Sequence, residues 1–240
     1  MMKKLFFLTA VVLTACSAPA PEANPVETTP SADLSIVQDM PTIQAFTQEA
    51  VLESDLQQIV QAGINCPSAM NGQPWHFTVI TNPETMKTLS TAMQAGMEAM
   101  MKNRPAPAPK PETKDGDKPE KDPKDAPKPD GPRGPHSGVG DSPCLIVISC
   151  KDGSELDAGL ATQNMNAMAN LLGYGTKIAS SIQILLQGDK AAELNTLFGV
   201  PEGMHVTTSL LIGKVDTEAY DATTSATPRN SEETVVTYVK

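Results

Sequence analysis

The side chains best suited to binding chemistry fall in one short run, Pro67-Ser68-Ala69-Met70-Asn71-Gly72-Gln73-Pro74-Trp75-His76-Phe77. Pro67 and Pro74 restrict φ, and Gly72 lets a ligand come close to the backbone. Ser68, Asn71 and Gln73 offer a hydroxyl and two amides on short arms, a donor and acceptor set that suits the edge of a polar heteroaromatic ring. The three side chains bind and orient; none is an acid, base or nucleophile at neutral pH. An ordinary Pro/Gly/Asn turn before a strand draws on the same residue types, so local chemistry alone does not separate the two. The residues Trp75 to Ile80 read as the strand that anchors the loop.

The run resembles the active-site loop of the FMN-dependent nitroreductase family, Pro-Ser-x-x-Asn-x-Gln-Pro-Trp-x-Phe, with every fixed position of that pattern present. The resemblance implies an α+β fold with a central mixed sheet flanked by helices in one domain. It implies FMN as cofactor, NAD(P)H as the usual donor, and a small-molecule acceptor such as a nitroaromatic or quinone. It also implies a homodimer with FMN at the interface, where the loop from Pro67 to Gln73 serves the flavin of one or the other protomer. In the family an Arg-Ser-x-Arg segment and an arginine near the C-terminus grip the FMN phosphate. Aligned on Phe46-Thr47-Gln48-Glu49, the first segment reads Pro41-Thr42-Ile43-Gln44 here, so both arginines are replaced while Thr42 keeps a hydroxyl and Gln44 an amide. Neutral bonds to a dianion are about half as strong as charge-assisted ones. Arg229, followed by Glu232-Glu233, matches the family's tail. Gly173-Tyr174-Gly175 through Ser180-Ser181 resembles the Gly-x-Gly turn and loop whose backbone amides face the flavin edge, with Ser180 and Ser181 where the family often has paired glycines.

Asp221-Ala-Thr-Thr-Ser225-Ala226-Thr227 resembles the recognition sequence of bacterial extracytoplasmic flavin transferases, Asp-x-x-(Ser/Thr)-x-Ala-Thr, which join FMN through its phosphate to the final threonine. Attachment at Thr227 would set the phosphate beside Arg229 and offset the missing arginines. A Ser/Thr-rich loop matching by chance is the alternative. Three readings therefore stand: an FMN oxidoreductase, a flavin electron carrier relaying electrons between membrane partners, and a flavin-free binding protein that keeps the fold. No catalytic acid or base is assigned in any of them.

Location is read from the front of the chain. Two lysines within Met1 to Lys4, an apolar stretch from Leu5 to Leu13 and then Leu13-Thr14-Ala15-Cys16 form an export signal too short to span a bilayer. The cleavage region resembles the lipobox of bacterial lipoproteins, which makes residues 1–15 a signal peptide and Cys16 the lipidated N-terminus, held at the membrane by more than one acyl chain. Residues 16–35 read as a disordered tether. Outside the cytoplasm nicotinamide donors are scarce, so a membrane electron donor stands beside NAD(P)H, and a flavin transferase becomes a processing partner.

Composition sets bounds. A net charge of −10 argues against nucleic acid. His76, His136 and His205 lie far apart in the chain, away from any Cys or carboxylate cluster, so no metal site is assigned. Cys144 and Cys150 are about 20 Å apart along one strand and cannot pair, leaving at most one disulfide through Cys66 or, as the blander reading, three small buried side chains.

The positioning elements follow from apolar spacing. A helix capped by Ser54 reaches Ile64, and a second opens at Asn82-Pro83 and runs to Met101, its methionine stripe read as core. Residues 103–141 hold ten prolines and eight charges of each sign, a composition that predicts a disordered insert interrupting the domain 36–240. Beyond it come a buried strand from Cys144 to Cys150, a helix from Leu156 to Leu172 stopped by Gly173, a shorter helix at Lys190 to Leu197, and a strand from Val206 to Ile212.

Overall fold

An unbroken apolar run can be a strand only where both of its faces are covered, and Cys144 to Cys150, buried at every position, meets that condition. The computed structural model describes residues 37, 40–102, 139, 141–187, 190–219 and 229–239, which belong to one compact unit, Ser35–Lys240. In chain order the main elements are α1 (Glu53–Ile64), β1 (Trp75–Ile80), α2 (Pro83–Lys102), β2 (Cys144–Lys151), α3 (Glu155–Leu171), β3 (Gly175–Ile178), a 3₁₀ run (Ser180–Gln187), α4 (Ala191–Leu197), β4 (Met204–Gly213) and the short α5 (Glu232–Val235). Cys16, the tether, most of the insert and Thr227 lie outside the described residues.

Among the described residues the sheet has the order β1-β2-β4-β3. The α+β class holds, but the expected mixed sheet is not seen there: every described pairing is antiparallel. The reason is insertion. Strands β2 and β3 run in the same direction across helix α3, yet β4 lies between them and is antiparallel to both.

Helices cover both faces. Cys144, Ile146, Ile148 and Cys150 pack with Ile59 of α1 and Ala158, Met165 and Ala169 of α3. Leu145 and Val147 turn to Met86, Leu89 and Met93 of α2, Ile182 and Leu185 of the 3₁₀ run and Leu194 of α4. A bulge leaves Thr207 unpaired, since Ile148 pairs with Thr208 and Ser149 with Val206. The alternation of β4 reverses there, so Val206 and Leu211 share the α2 face although one is even-numbered and the other odd.

Several boundaries shift. Helix α1 starts at Glu53 with Leu52 at its N-cap, and the Ser54 hydroxyl reaches the Asp55 carboxylate at 3.4 Å instead of a backbone amide. Asn82 does cap α2, accepting from the Thr85 amide at 2.9 Å. The methionine stripe is core only in part: Met86 and Met93 are buried, whereas Met97 and Met100 near the helix end are exposed. The segment after Gly173 is not a loop. Gly173 takes φ +80°, and the chain then enters β3 at Gly175. A Cβ at Gly175 would stand 2.6 Å from Val215 Cγ2 and 2.7 Å from Ile43 Cγ1, because the segment 40–46 lies against β3 through Ile43 N donating to Thr176 O at 2.9 Å.

Cys66, Cys144 and Cys150 are free and buried. Burial pushes the Cys144 thiol up from 9.0 to about 12. A thiol whose folded-state pKa is raised gives stability that is complete below the unfolded pKa and is lost as pH climbs toward the folded one. Cys144→Ala should therefore flatten the alkaline loss of stability between pH 9.0 and about 12, read as the denaturant midpoint against pH. Gly175→Ala should lower stability by about 1–3 kcal/mol through overpacking, and an unchanged midpoint would contradict the contact.

Candidate functional site

The Pro67 to Gln73 loop leaves α1 through buried Cys66 and enters β1 through Pro74, whose carbonyl accepts from Lys151 N at 3.1 Å. Inside it Met70, Asn71 and Gln73 all have positive φ, at 53°, 55° and 44°. Such conformations cost about 1–3 kcal/mol each for non-glycine residues and persist only where neighbouring contacts impose them. The contacts are visible. Ser68 Oγ accepts from Gln73 N at 2.9 Å, Ser68 O accepts from Asn71 N at 3.0 Å, and the Asp157 carboxylate of α3 accepts from Ala69 N at 3.1 Å. Pro67, Asn71 and Gln73 are exposed, and Met70 at the tip is fully so. The loop is thus braced from below and open above.

A second feature is a cleft of about 290 Å³ that brings Thr42 and Arg229 together with Gln163, Asn166, Thr176 and Ile178. Its floor is a buried polar network. The Thr176 hydroxyl donates to Asn166 Oδ1 and accepts from Asn170 Nδ2 at 2.8 Å, while Asn166 Nδ2 donates to Gln163 Oε1 at 3.1 Å. Among the described residues lining the cleft, Arg229 is the only cation. Guanidinium, hydroxyl and amide groups in one cleft make a donor set that fits a phosphate.

Thr42 and Arg229 therefore line one cleft, and Gln44 does not. Its carbonyl oxygen accepts from Lys177 Nζ at 3.0 Å, away from the cleft lining. Burial holds the Lys177 amine below its usual range, with the charge of Asp141 opposing the shift. Ser180 and Ser181 open the 3₁₀ run after β3 and are not among the residues lining the cleft; Ser180 Oγ is 3.1 Å from Thr208 Oγ1. The loop and the cleft are separate places on one helix: Asp157 holds the first and Asn166 floors the second, nine residues or about 13–14 Å along α3. Asn166 and Thr176 were not singled out in the sequence. The available signal was an asparagine at a position where α3 places Ala158, Ala161, Met165 and Ala169 in the core.

Residues 41–214 match the model of the Nitroreductase family, and the chain belongs to that family. A protein of Archaeoglobus fulgidus described as a candidate NADH dehydrogenase/NAD(P)H nitroreductase is 32% identical over 63 residues, which cover 26% of this chain and 36% of the relative. The match thus spans about a third of that protein's length. A nitroreductase with bound FMN from Desulfitobacterium hafniense DCB-2 has a TM-score of 0.62 at 20% identity, covering 86% of this chain and 97% of its own. One from Bacteroides fragilis NCTC 9343, also with FMN, has a TM-score of 0.62 at 17% identity over 86% and 98%. At these identities the likeness is one of fold.

The floor network predicts the effect of one change. Thr176→Val keeps shape but removes the two hydrogen bonds that its hydroxyl makes with Asn166 Oδ1 and Asn170 Nδ2, and should cost about 1–3 kcal/mol in denaturant unfolding. Unchanged stability would mean that water replaces the hydroxyl.

Proposed function

We propose that the chain is an FMN-dependent oxidoreductase that reduces nitroaromatic, quinone or similar small acceptors. The observation that carries this reading is the cleft in which Arg229 and Thr42 meet over Asn166 and Thr176, within a chain of the nitroreductase family. FMN, when bound, supplies a ring that takes up and gives out reducing equivalents. The chain's own part is binding. Arg229 and Thr42 would take the phosphate, the backbone at Ser180 and Ser181 would lie at the ring edge, and Pro67, Ser68, Asn71 and Gln73 would hydrogen-bond the ring and ribityl chain of the same or a partner protomer's flavin.

A homodimer is part of the proposal. Leu156 and Leu160 lie exposed four residues apart on α3, and the tail exposes Val235, Tyr238 and Val239. A second copy would cover this apolar surface. Leu160→Asp should then shift the sedimenting species from dimer toward monomer, and a wild-type monomer at high concentration would contradict the arrangement.

We further propose an extracytoplasmic protein, with residues 1–15 removed, Cys16 lipidated and residues 16–35 serving as tether. FMN would be esterified at Thr227 by a flavin transferase. Only Pro228 separates Thr227 from Arg229, at most about 7 Å of chain, so an ester there keeps the phosphate within reach of the guanidinium. A covalent link also prevents loss of cofactor by dilution. The donor would be NAD(P)H or a membrane carrier.

The second reading, a flavin electron carrier, is favoured by one observation: Arg229 is the only titratable side chain among the described residues lining the cleft. Rapid cycling without turnover of any nitroaromatic or quinone under a chemical donor would select it.

The test is flavin content. The chain is coproduced with a flavin transferase, denatured, and examined for protein-bound fluorescence beside Thr227→Ala. Flavin that survives denaturation and disappears in the variant is expected. Flavin released on denaturation would sink the ester and leave a noncovalent site, and a colourless protein even after added FMN would overturn the oxidoreductase reading.

A further inference from the structure

The far end of the sheet gathers residues that stand far apart in the chain. Cys150 of β2 pairs directly with His205 of β4. After Lys151 the chain reverses through a turn in which Ser154 N donates to Lys151 O at 3.1 Å and Gly153 takes φ +77°, so α3 starts back over the same strand ends. This turn sets two carboxylates around the imidazole: Asp152 Oδ1 is 3.0 Å from His205 Nδ1, and Glu155 Oε1 is 3.5 Å from His205 Nε2. Cys150 Sγ, a Glu155 carboxylate oxygen and a His205 ring nitrogen all lie within 4.8 Å of one another. Cys150 is wholly buried, and His205 Nδ1 is a buried nitrogen that makes no aligned hydrogen bond despite the nearby Asp152 oxygen.

We propose that Cys150, His205 and Glu155 form a binding site for a divalent cation of the zinc class. Thiolate, imidazole and carboxylate together suit a borderline-soft ion, whereas Mg²⁺ and Ca²⁺ select oxygen sets. His205 Nε2, on the Glu155 side, coordinates the ion, and Nδ1–H turns to Asp152, which fixes the tautomer. Water takes the fourth position. The Cys150 proton leaves to solvent as the sulfur–metal bond forms, and no electrons change hands. Ligand atoms around a tetrahedral ion stand about 3.3–3.8 Å apart, so the set, within 4.8 Å as it stands, needs to close by at most about 1 Å or a little more. The mobile partner is Glu155, whose side chain is 51% exposed. Thr207, unpaired at the bulge, puts its hydroxyl 3.0 Å from Cys150 Sγ and can donate to the thiolate.

The alternative for these residues is a solvated imidazole between two carboxylates, an arrangement that contributes little to stability. Zinc binding separates the two. The ion would join β2, β4 and the start of α3 directly beneath the Pro67 to Gln73 loop, since Cys150 also pairs with Trp75 and Asp157 of α3 holds Ala69 N. The proposal does not depend on the flavin reading.

The test is calorimetric titration of the metal-stripped full chain with zinc chloride, beside Glu155→Gln, His205→Gln and Cys150→Ser, with cobalt(II) difference spectra on the same proteins. One zinc per chain with submicromolar affinity is expected, weakened at least about tenfold by each substitution. Cobalt should give a thiolate charge-transfer band that Cys150→Ser abolishes. If Cys150→Ser does not fold, the exposed Glu155→Gln and the His205→Gln variant decide. No zinc bound at micromolar concentration, affinity untouched by those two changes, or a wild-type cobalt spectrum without the thiolate band would overturn the site.

Discussion

Helix α3 is fixed to the sheet by a nearly buried polar contact, and both halves of the site are placed from that helix. Asn166 and Thr176 are each nearly fully buried, and Thr176 stands between Asn166 and Asn170. An amide removed from solvent must keep its partners, so rotation or sliding of α3 against β3 would leave several groups unpaired at once. Apolar packing of Ala158, Met165 and Ala169 tolerates small shifts; the hydrogen bonds do not. The position of Asn166 in the cleft floor and that of Asp157 under the loop are therefore one geometric fact, separated by a rigid length of helix.

Strain and support divide between the two places. The loop carries three non-glycine residues at positive φ and is held by Ser68, Asp157 and the Lys151 amide. The cleft carries no left-handed residue among those described, and its floor groups, Asn166 and Thr176, are held by side-chain bonds on an ordinary helix and strand. A strained, exposed loop fits recognition of a flat ring, and a braced cleft with one cation fits a small anion.

Legibility in the sequence tracked how local each cause was. Trp75 to Ile80 and the buried strand from Cys144 were readable because alternation or an unbroken apolar run decides a strand within its own span. The loop was readable as a motif, but its left-handed residues at Met70 and Gln73 were not, since neither type favours that conformation and one of the contacts bracing the loop comes from Asp157, far along the chain. Strand β3 was read as a loop because Gly175 looks like a turn residue. Its real role is to admit Ile43 and Val215, which only the tertiary fold brings near. Gln44 was expected beside Thr42 and instead pairs with Lys177, again a long-range partner. Cys150 and His205 appeared unrelated until the β2–β4 register set them opposite each other.

The central claim is that Arg229 and Thr42 hold a phosphate over the floor made by Asn166 and Thr176. Phosphorus-31 NMR of the flavin-loaded chain tests it most directly, because the resonance reports the phosphate's own surroundings. The account predicts one flavin phosphorus signal that moves in both Arg229→Gln and Thr42→Val. A signal at the same position in wild type and both variants would place the phosphate elsewhere and contradict the account.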